Sequence, residues 1–400
     1  MRQVWPTKKA EELFSISDFV SNGSFASLRE NVKYLDYPDY AVLVRLADFS
    51  NGFEKRRFVY VNKQSYDYLS KSTLYGGEII MSNVGSVGKS FICPDLGCPM
   101  TVGPNVIVIR SDYNKFFQYY FQTEAFQKQL ISISSKATLL KFNKTNFKKL
   151  DIPAPPLEVQ KHIVSVLDAE FEKIDLLKTH AEKSLLNAKD LFRVAIKKEL
   201  EPRDGWKEYS LQSACLESGQ YGMSVSSKSF DGVRYLRITD ITEDGRLNSD
   251  LVSADINTIE NKYILQDGDI LFARTGATVG KTLVYDSSMG ICSYAGYLIR
   301  YRPNSNIVLP RTLYYITHSA PYYAWVWESQ RQSTLPNISA KLYNDFKFFL
   351  PDISEQQRII SILDVLKAKC NDLQLKYEKT LALCDDLKQA LLRKAFNGEL

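Results

Sequence analysis

Two stretches of the chain place apolar or small residues at every seventh position. The first stretch has Leu167, Ile174, Ala181, Ala188 and Ala195, and the second has Leu363, Cys370, Tyr377, Cys384 and Leu391. Phe171, Leu177, Leu185 and Leu191 widen the first seam, and Leu366, Leu373, Leu381 and Leu387 widen the second. A seven-residue step sustained this long is the pattern of a helix that buries one stripe against another helix. Pro156 and Pro351 stand where proline can start a helix without interrupting it, and Pro202 with Gly205 closes the first. Roughly 40 helical residues at about 1.5 Å each make a rod of about 60 Å. One chain with two such seams can bury both by folding the rods antiparallel as a coiled coil.

Ahead of each seam the pattern changes to short β-rich runs punctuated by Gly, Asn, Asp and Pro. Residues 42–46, 79–82 and 106–109 form one set, and residues 235–238, 270–273 and 297–301 the other. An aromatic stretch with helical character follows each set, at residues 116–130 and 311–325.

The chain states this plan twice. Residues 155–168 align without gaps to residues 351–364, an offset of 196, so that Ser165, Leu167 and Asp168 meet Ser361, Leu363 and Asp364. Thr138 and Leu139 meet Thr334 and Leu335 at the same offset. Further upstream, Gly77, Glu78, Ile79 and Ile80 meet Gly268, Asp269, Ile270 and Leu271, and Gly88, Lys89 and Ser90 meet Gly280, Lys281 and Thr282. Arg45 and Asp48 match Arg237 and Asp240. Two long copies exclude a solenoid, which needs three or more short repeats. The pattern predicts an α+β chain, with two similar mixed domains joined by two long helices packed as an antiparallel coiled coil. The expected boundaries are residues 1–155 and 202–351 for the domains, and 156–201 and 352–400 for the helical spacers.

Composition narrows the function classes. A hydrophobic share of 44% with 24% charged residues fits a folded soluble protein. Residues 1–18 lack the apolar core of a signal peptide, and no run of about 18 apolar residues occurs, so a cytoplasmic chain without a membrane span is expected. A net charge of +5 permits a polyanionic partner without demanding one. The six cysteines form no CxxC pair, and His162, His180 and His318 lie away from them. Buried, reduced thiols are expected, with no metal site.

Residues 276–282, Gly-Ala-Thr-Val-Gly-Lys-Thr, imitate a phosphate-binding loop but place three residues rather than four between the glycines. The residues that follow read as strand, so a glycine turn between strands is expected. Lys89 and Lys281 beside the turns, and Arg274 ahead of one, are candidates for a DNA backbone. Lys55, Arg56 and Arg57 form a basic run in a loop. Arg331, between Gln330 and Gln332, has the chemistry to read a guanine edge. Arg45 and Arg237 complete the candidate set. The pairs Tyr119–Tyr120 and Tyr314–Tyr315, with Trp325 and Trp327, have faces on which bases could stack, though aromatics at helical spacing more often belong to a core. No acid–base pair, Ser/His/Asp arrangement or glycine-rich cofactor loop is present in the pattern.

The chain resembles the specificity subunits of type I restriction–modification systems. The resemblance rests on Gly268, Asp269, Ile270 and Leu271 with Gly276, Gly280 and Lys281, on the Pro155–Glu158 helix entry, on residues 355–360, and on the ending at residues 392–400. The opening at Trp5 and Pro6 is less typical than that at Gly205 and Trp206, and the first glycine loop is one residue shorter. The resemblance implies a non-catalytic subunit that binds double-stranded DNA, with each target-recognition domain reading one half of a bipartite, asymmetric site. It also implies that the helices set the unread gap and dock two modification (methyltransferase) subunits, with restriction and translocation subunits completing the complex. S-adenosylmethionine, Mg and ATP would then belong to those partners, and this chain would bind no cofactor. The competing reading is a duplicated protein-binding adaptor with a coiled-coil spacer.

Overall fold

In a computed structural model, which describes residues 5–136, 139–242, 245–330 and 336–400, the chain forms two compact units. One comprises Met1–Ala181 with Lys379–Leu400, and the other Glu182–Glu378. Each therefore owns one mixed domain together with a segment of each long helix.

In the first unit, a four-stranded antiparallel sheet runs in the order Ser15–Asp18, Val106–Arg110, Ile79–Ser82, Ser90–Ile92. Its central strands carry the apolar runs at residues 106–109 and 79–81 because both faces are covered. Ile79, Met81, Ile107 and Ile109 face a core of helices, while Ile80, Val106 and Val108 face a second cluster with Val42, Val44 and Phe91. That two-residue alternation is the strand period itself. Behind it lies a five-stranded sheet in which Ala41–Val44 pairs in parallel with Met100–Val102.

The second unit repeats the arrangement with Gln220–Tyr221, Leu298–Tyr301, Ile270–Ala273 and Thr282–Val284. Ile270, Phe272, Ile299 and Tyr301 face its helical core, and Leu271, Ala273 and Leu298 face the opposite cluster. The parallel pair recurs as Arg234–Leu236 with Cys292–Tyr294.

Two expectations are corrected locally. The strands at residues 42–46 and 235–238 stop early, at Val44 and Leu236. Asp48 and Asp240 accept hydrogen bonds from the backbone N–H of Arg45 and Arg237, each at 2.8 Å, and turn the chain into short helical segments. The aromatic stretches are each two helices, Asn114–Phe121 with Glu124–Ser132 and Pro310–Ile316 with Ala320–Gln330. In the first copy Thr123 makes the break, its hydroxyl capping the N–H of Phe126 at 3.2 Å. Five cysteines are buried and free, and Cys98 is exposed. Burial pushes the Cys93 and Cys215 thiols up to about 12 and that of Cys292 to about 11.

The long helices span Leu157–Glu199 and Ile353–Phe396. Asp352 caps the second, accepting from the N–H of Glu355 at 2.8 Å. Along the seams Leu167, Ile174, Ala181, Ala188, Leu363, Cys370 and Cys384 are buried, while Tyr377 and Leu391 are partly so. Leu177, Leu191 and Leu387 point outward, 55%, 52% and 48% exposed. Their neighbours Lys178, Phe192 and Lys388 are the partly buried ones instead, because one residue swings a side chain by about 100°. Within the first unit the helix segments run antiparallel, with Lys178 on Asp385 at 2.8 Å and Lys388 on Asp175 at 2.5 Å. Within the second, Ile196 packs with Ile359 and Leu363, and Arg358 meets Glu199 at 3.0 Å.

Candidate nucleic-acid interface

Three cation–carboxylate clusters occur in both copies, and each holds the frame together. The first is local. Arg45 grips Asp48, which is 1% exposed, through Nε at 3.2 Å and a terminal nitrogen at 2.8 Å. Arg237 grips Asp240 in the same way at 3.1 and 2.7 Å. The second links strands: Arg110 reaches Glu78 at 3.4 Å, and Arg302 reaches Asp269 at 2.8 Å.

The third fastens each domain to its long helix. Lys115 and Tyr119 both bond Asp168 at 2.6 Å, and Arg311 and Tyr315 both bond Asp364. Burial, and then the neighbouring carboxylate, hold the Tyr119 and Tyr315 hydroxyls well above their ordinary range, so both remain donors. Arg45 and Arg237, expected as DNA contacts, therefore commit their guanidinium groups to buried carboxylates.

The first unit gathers the other candidates around the short helix Leu46–Ser50. Lys55, Arg56 and Arg57 form an exposed turn after it. Glu54 pairs with both arginines, Arg57 also donates to Asn51 at 3.0 Å, and Arg45 donates to the Arg57 carbonyl at 3.0 Å. Lys89 reaches Ser50 at 3.3 Å and lies 5.6 Å above the ring of Phe49, which stacks on Phe91. Three cations against one carboxylate, with Lys89 alongside, leave this surface positive.

The glycine turns join two strands, as expected. Gly88 and Gly280 have φ of +83° and +85°, and a Cβ on them would meet Leu130 and Val326, each at 2.8 Å. Only glycine allows the turn to lie this close to the following helix. Lys89 and Lys281 emerge beside these turns, and neither faces a carboxylate among the described residues.

The second unit differs at Arg274. Its guanidinium lies 4.7 Å above the ring of Tyr221, and its Nε donates to Asn337 at 3.3 Å. Tyr221 is itself held in place by the N–H of Ala340, which donates to its hydroxyl at 2.9 Å. Neither Tyr221 nor Asn337 was among the sequence candidates, because both are remote from Arg274 along the chain. Arg331 lies outside the described residues, as do Gln332, Ser333 and Thr334. Tyr120, Tyr314 and Tyr315 are core residues, Trp325 packs on Phe346 at 4.9 Å, and Trp327 is 61% exposed.

Comparison with known proteins bears on this geometry. The model of the type I restriction modification DNA specificity domain matches residues 4–186 and again residues 205–381. The StySPI specificity subunit of Salmonella potsdam, a type I restriction enzyme subunit, is 24% identical over 395 residues, covering 90% of this chain and 83% of the relative. The EcoKI specificity subunit of Escherichia coli strain K12 is 24% identical over 399 residues, with the same coverage. A chain from a structure described as the basis of complex assembly and conformational transition of the type I R-M system superposes with a TM-score of 0.74. It shares 19% identity, and the match covers 100% of both chains. The HsdS subunit from Thermoanaerobacter tengcongensis gives a TM-score of 0.52 at 18% identity over 99% of this chain and 97% of its own.

Proposed function

Since the chain belongs to the family of type I restriction modification DNA specificity domains, we propose that it is the DNA-reading subunit of such a complex, with each unit reading one half of a bipartite site in duplex DNA. The observation that carries this reading is one frame built twice with different surfaces. The cation–carboxylate clusters recur in both units, whereas among the described residues the basic turn at residues 55–57 and the Arg274 cluster occur once each. A repeated frame docks both units in the same way, and unlike surfaces read unlike half-sites.

Lys89 and Lys281 suit phosphate contacts, because a repeated cation beside a glycine turn positions a domain without carrying sequence information. Lys55, Arg56 and Arg57 add positive charge to the first unit alone. The long helices, shared by the two units, serve as the spacer that sets the unread gap. Their outward-facing leucines, among them Leu177, Leu191 and Leu387, offer apolar surface to modification subunits. In this reading the chain performs no chemistry, and methyl transfer and ATP-driven steps belong to partner subunits with their own S-adenosylmethionine, Mg and ATP. No helix among the described residues is long and apolar enough to cross a membrane.

The test is a domain exchange. The full chain, with residues 1–155 replaced by those of a relative, is expressed with its modification subunit, and the methylated sites are sequenced. One half of the methylated motif should change while the other half stays. A change in both halves would overturn the assignment of one half-site to each unit, and a motif untouched by the exchange together with no salt-dependent binding to duplex DNA would favour the adaptor reading.

A further inference from the structure

We infer that Arg274 is a specificity-determining residue that reads a guanine in the half-site of the second unit, positioned for it by Tyr221 and Asn337. The inference rests on the DNA-reading function proposed above and extends it to one residue and one base.

Hydrogen-bond register identifies the position across the duplication. Asn83 donates its backbone N–H to Asn105 at 3.1 Å, and Arg274 donates its own to Tyr297 at 3.1 Å. The backbone carbonyl of Asn83 accepts from Phe142 at 3.1 Å, and that of Arg274 accepts from Ile338 at 2.9 Å. Val84 then bridges to Lys141 as Thr275 bridges to Asn337. Asn83 and Arg274 therefore occupy one site of the duplicated fold, as do Lys141 and Asn337. In the flanking strand, Asp18 pairs with Ile107 where Tyr221 pairs with Ile299. The backbone is the same and the side chains share nothing.

That contrast separates Arg274 from the structural cations. Arg45 and Arg237, Arg110 and Arg302, and Lys115 and Arg311 each face a carboxylate that is repeated with them. Arg274 has no repeated counterpart, and among the described residues it faces no carboxylate. Its Nε is used by Asn337, and the Tyr221 ring supports the guanidinium plane, so the side chain is oriented without being neutralised. Its two terminal nitrogens have no acceptor among the described residues. A planar fork held this way matches the paired O6 and N7 acceptors of guanine in the major groove. The flanking Tyr297 is 60% exposed, so this corner meets solvent. In the first unit the same corner is closed by Lys144, which bonds Asp18 at 3.1 Å and Ser21 at 2.6 Å.

The experiment uses the full chain expressed with its modification subunit, reading methylated motifs by single-molecule sequencing and binding by competition with single-base-pair variants of the site. The unaltered chain should give a bipartite motif with a required G·C pair in the half assigned to the second unit. Arg274→Ala should make that one position degenerate, lowering discrimination there by about tenfold to a hundredfold, and leave the other half and the gap unchanged. Arg274→Lys keeps the charge but loses the fork, and should relax the same position. Asn337→Ala should relax it more weakly.

A motif unchanged in Arg274→Ala would overturn the inference. So would a loss of affinity equal for every sequence and rescued by Arg274→Lys, which is the behaviour of a phosphate contact. A bipartite motif absent from the unaltered chain would instead overturn the function proposed above, and it is read before any variant is made. If Arg274→Ala abolishes methylation, the competition assay decides, since base-specific and uniform losses differ there.

Discussion

The two units are built on equivalent strands and turns, yet they treat charge in two ways. Where Asp48 and Asp240 sit, each arginine is locked by its carboxylate at nearly the same distances in both units. At the corner occupied by Asn83 in one unit and Arg274 in the other, the backbone bonds match and the side chains do not. Duplication supplied a standard of comparison within one chain. The carboxylate-locked cations that both copies keep belong to the frame, and the side chains that differ on matching backbone are where the two units can recognise different partners. Arg45 and Arg237 are bound into the frame by their carboxylates, whereas Lys89 and Lys281 are the repeated cations proposed as shared anchors.

The comparison is broken or sharpened by a graded series of variants. The largest effect is expected at the fastening of domain to helix. Tyr315 is fully buried, so Tyr315→Ala should cost about 3–5 kcal/mol in denaturant unfolding. Tyr119 is only partly buried, and Tyr119→Ala should cost clearly less; equal losses would show that the two fastenings are not distinguished by burial.

Next come Asp48→Ala and Asp240→Ala. Each removes the acceptor for a backbone N–H and an arginine, and should cost about 2–3 kcal/mol, discounted from a fully buried pair because each arginine is about one-third exposed. The two losses should agree closely, and a large difference would mean that the repeated lock is not an equivalent part of both frames.

Lys89→Ala and Lys281→Ala should leave stability and the methylated motif intact. Each should lower the slope of log affinity against log salt by about 1. Salt titration of duplex binding measures this, and altered base preference would contradict a phosphate role. The smallest effect belongs to the helix edges. Asp385→Ala removes the partner of Lys178 from an exposed pair and should shift stability by less than about 1 kcal/mol. A larger loss on thermal melting would show that this pair, and not the apolar seam, carries the helix contact.

Much of the frame could be read without coordinates, because its signals are local or periodic. Leu167, Ile174 and Cys384 announce their burial by spacing, since a helix returns to the same face at fixed intervals. The strands Ile79–Ser82 and Ile270–Ala273 announce theirs by the apolar runs at residues 79–81 and 270–273. Leu177, Leu191 and Leu387 face outward against expectation, because apolarity alone does not say which of two adjacent residues is the more covered, and the partly buried places went to Lys178, Phe192 and Lys388. Arg45 and Arg237 were misleading for another reason. Their acidic partners lay three residues away in plain view, but an arginine near an aspartate looks the same whether it is locked or available.

By itself, then, the amino-acid order determined the doubled plan, the two long helices, the glycine turns and the family, all of which depend on near neighbours or on a repeat long enough to align. Only the tertiary structure decided which cations face a carboxylate and which do not. Tyr221, Arg274 and Asn337 come from separate segments and meet because the strands and the crossing residues after them converge on one corner. Charge compensation depends on distances of a few ångströms across the fold, and no spacing along the chain encodes them.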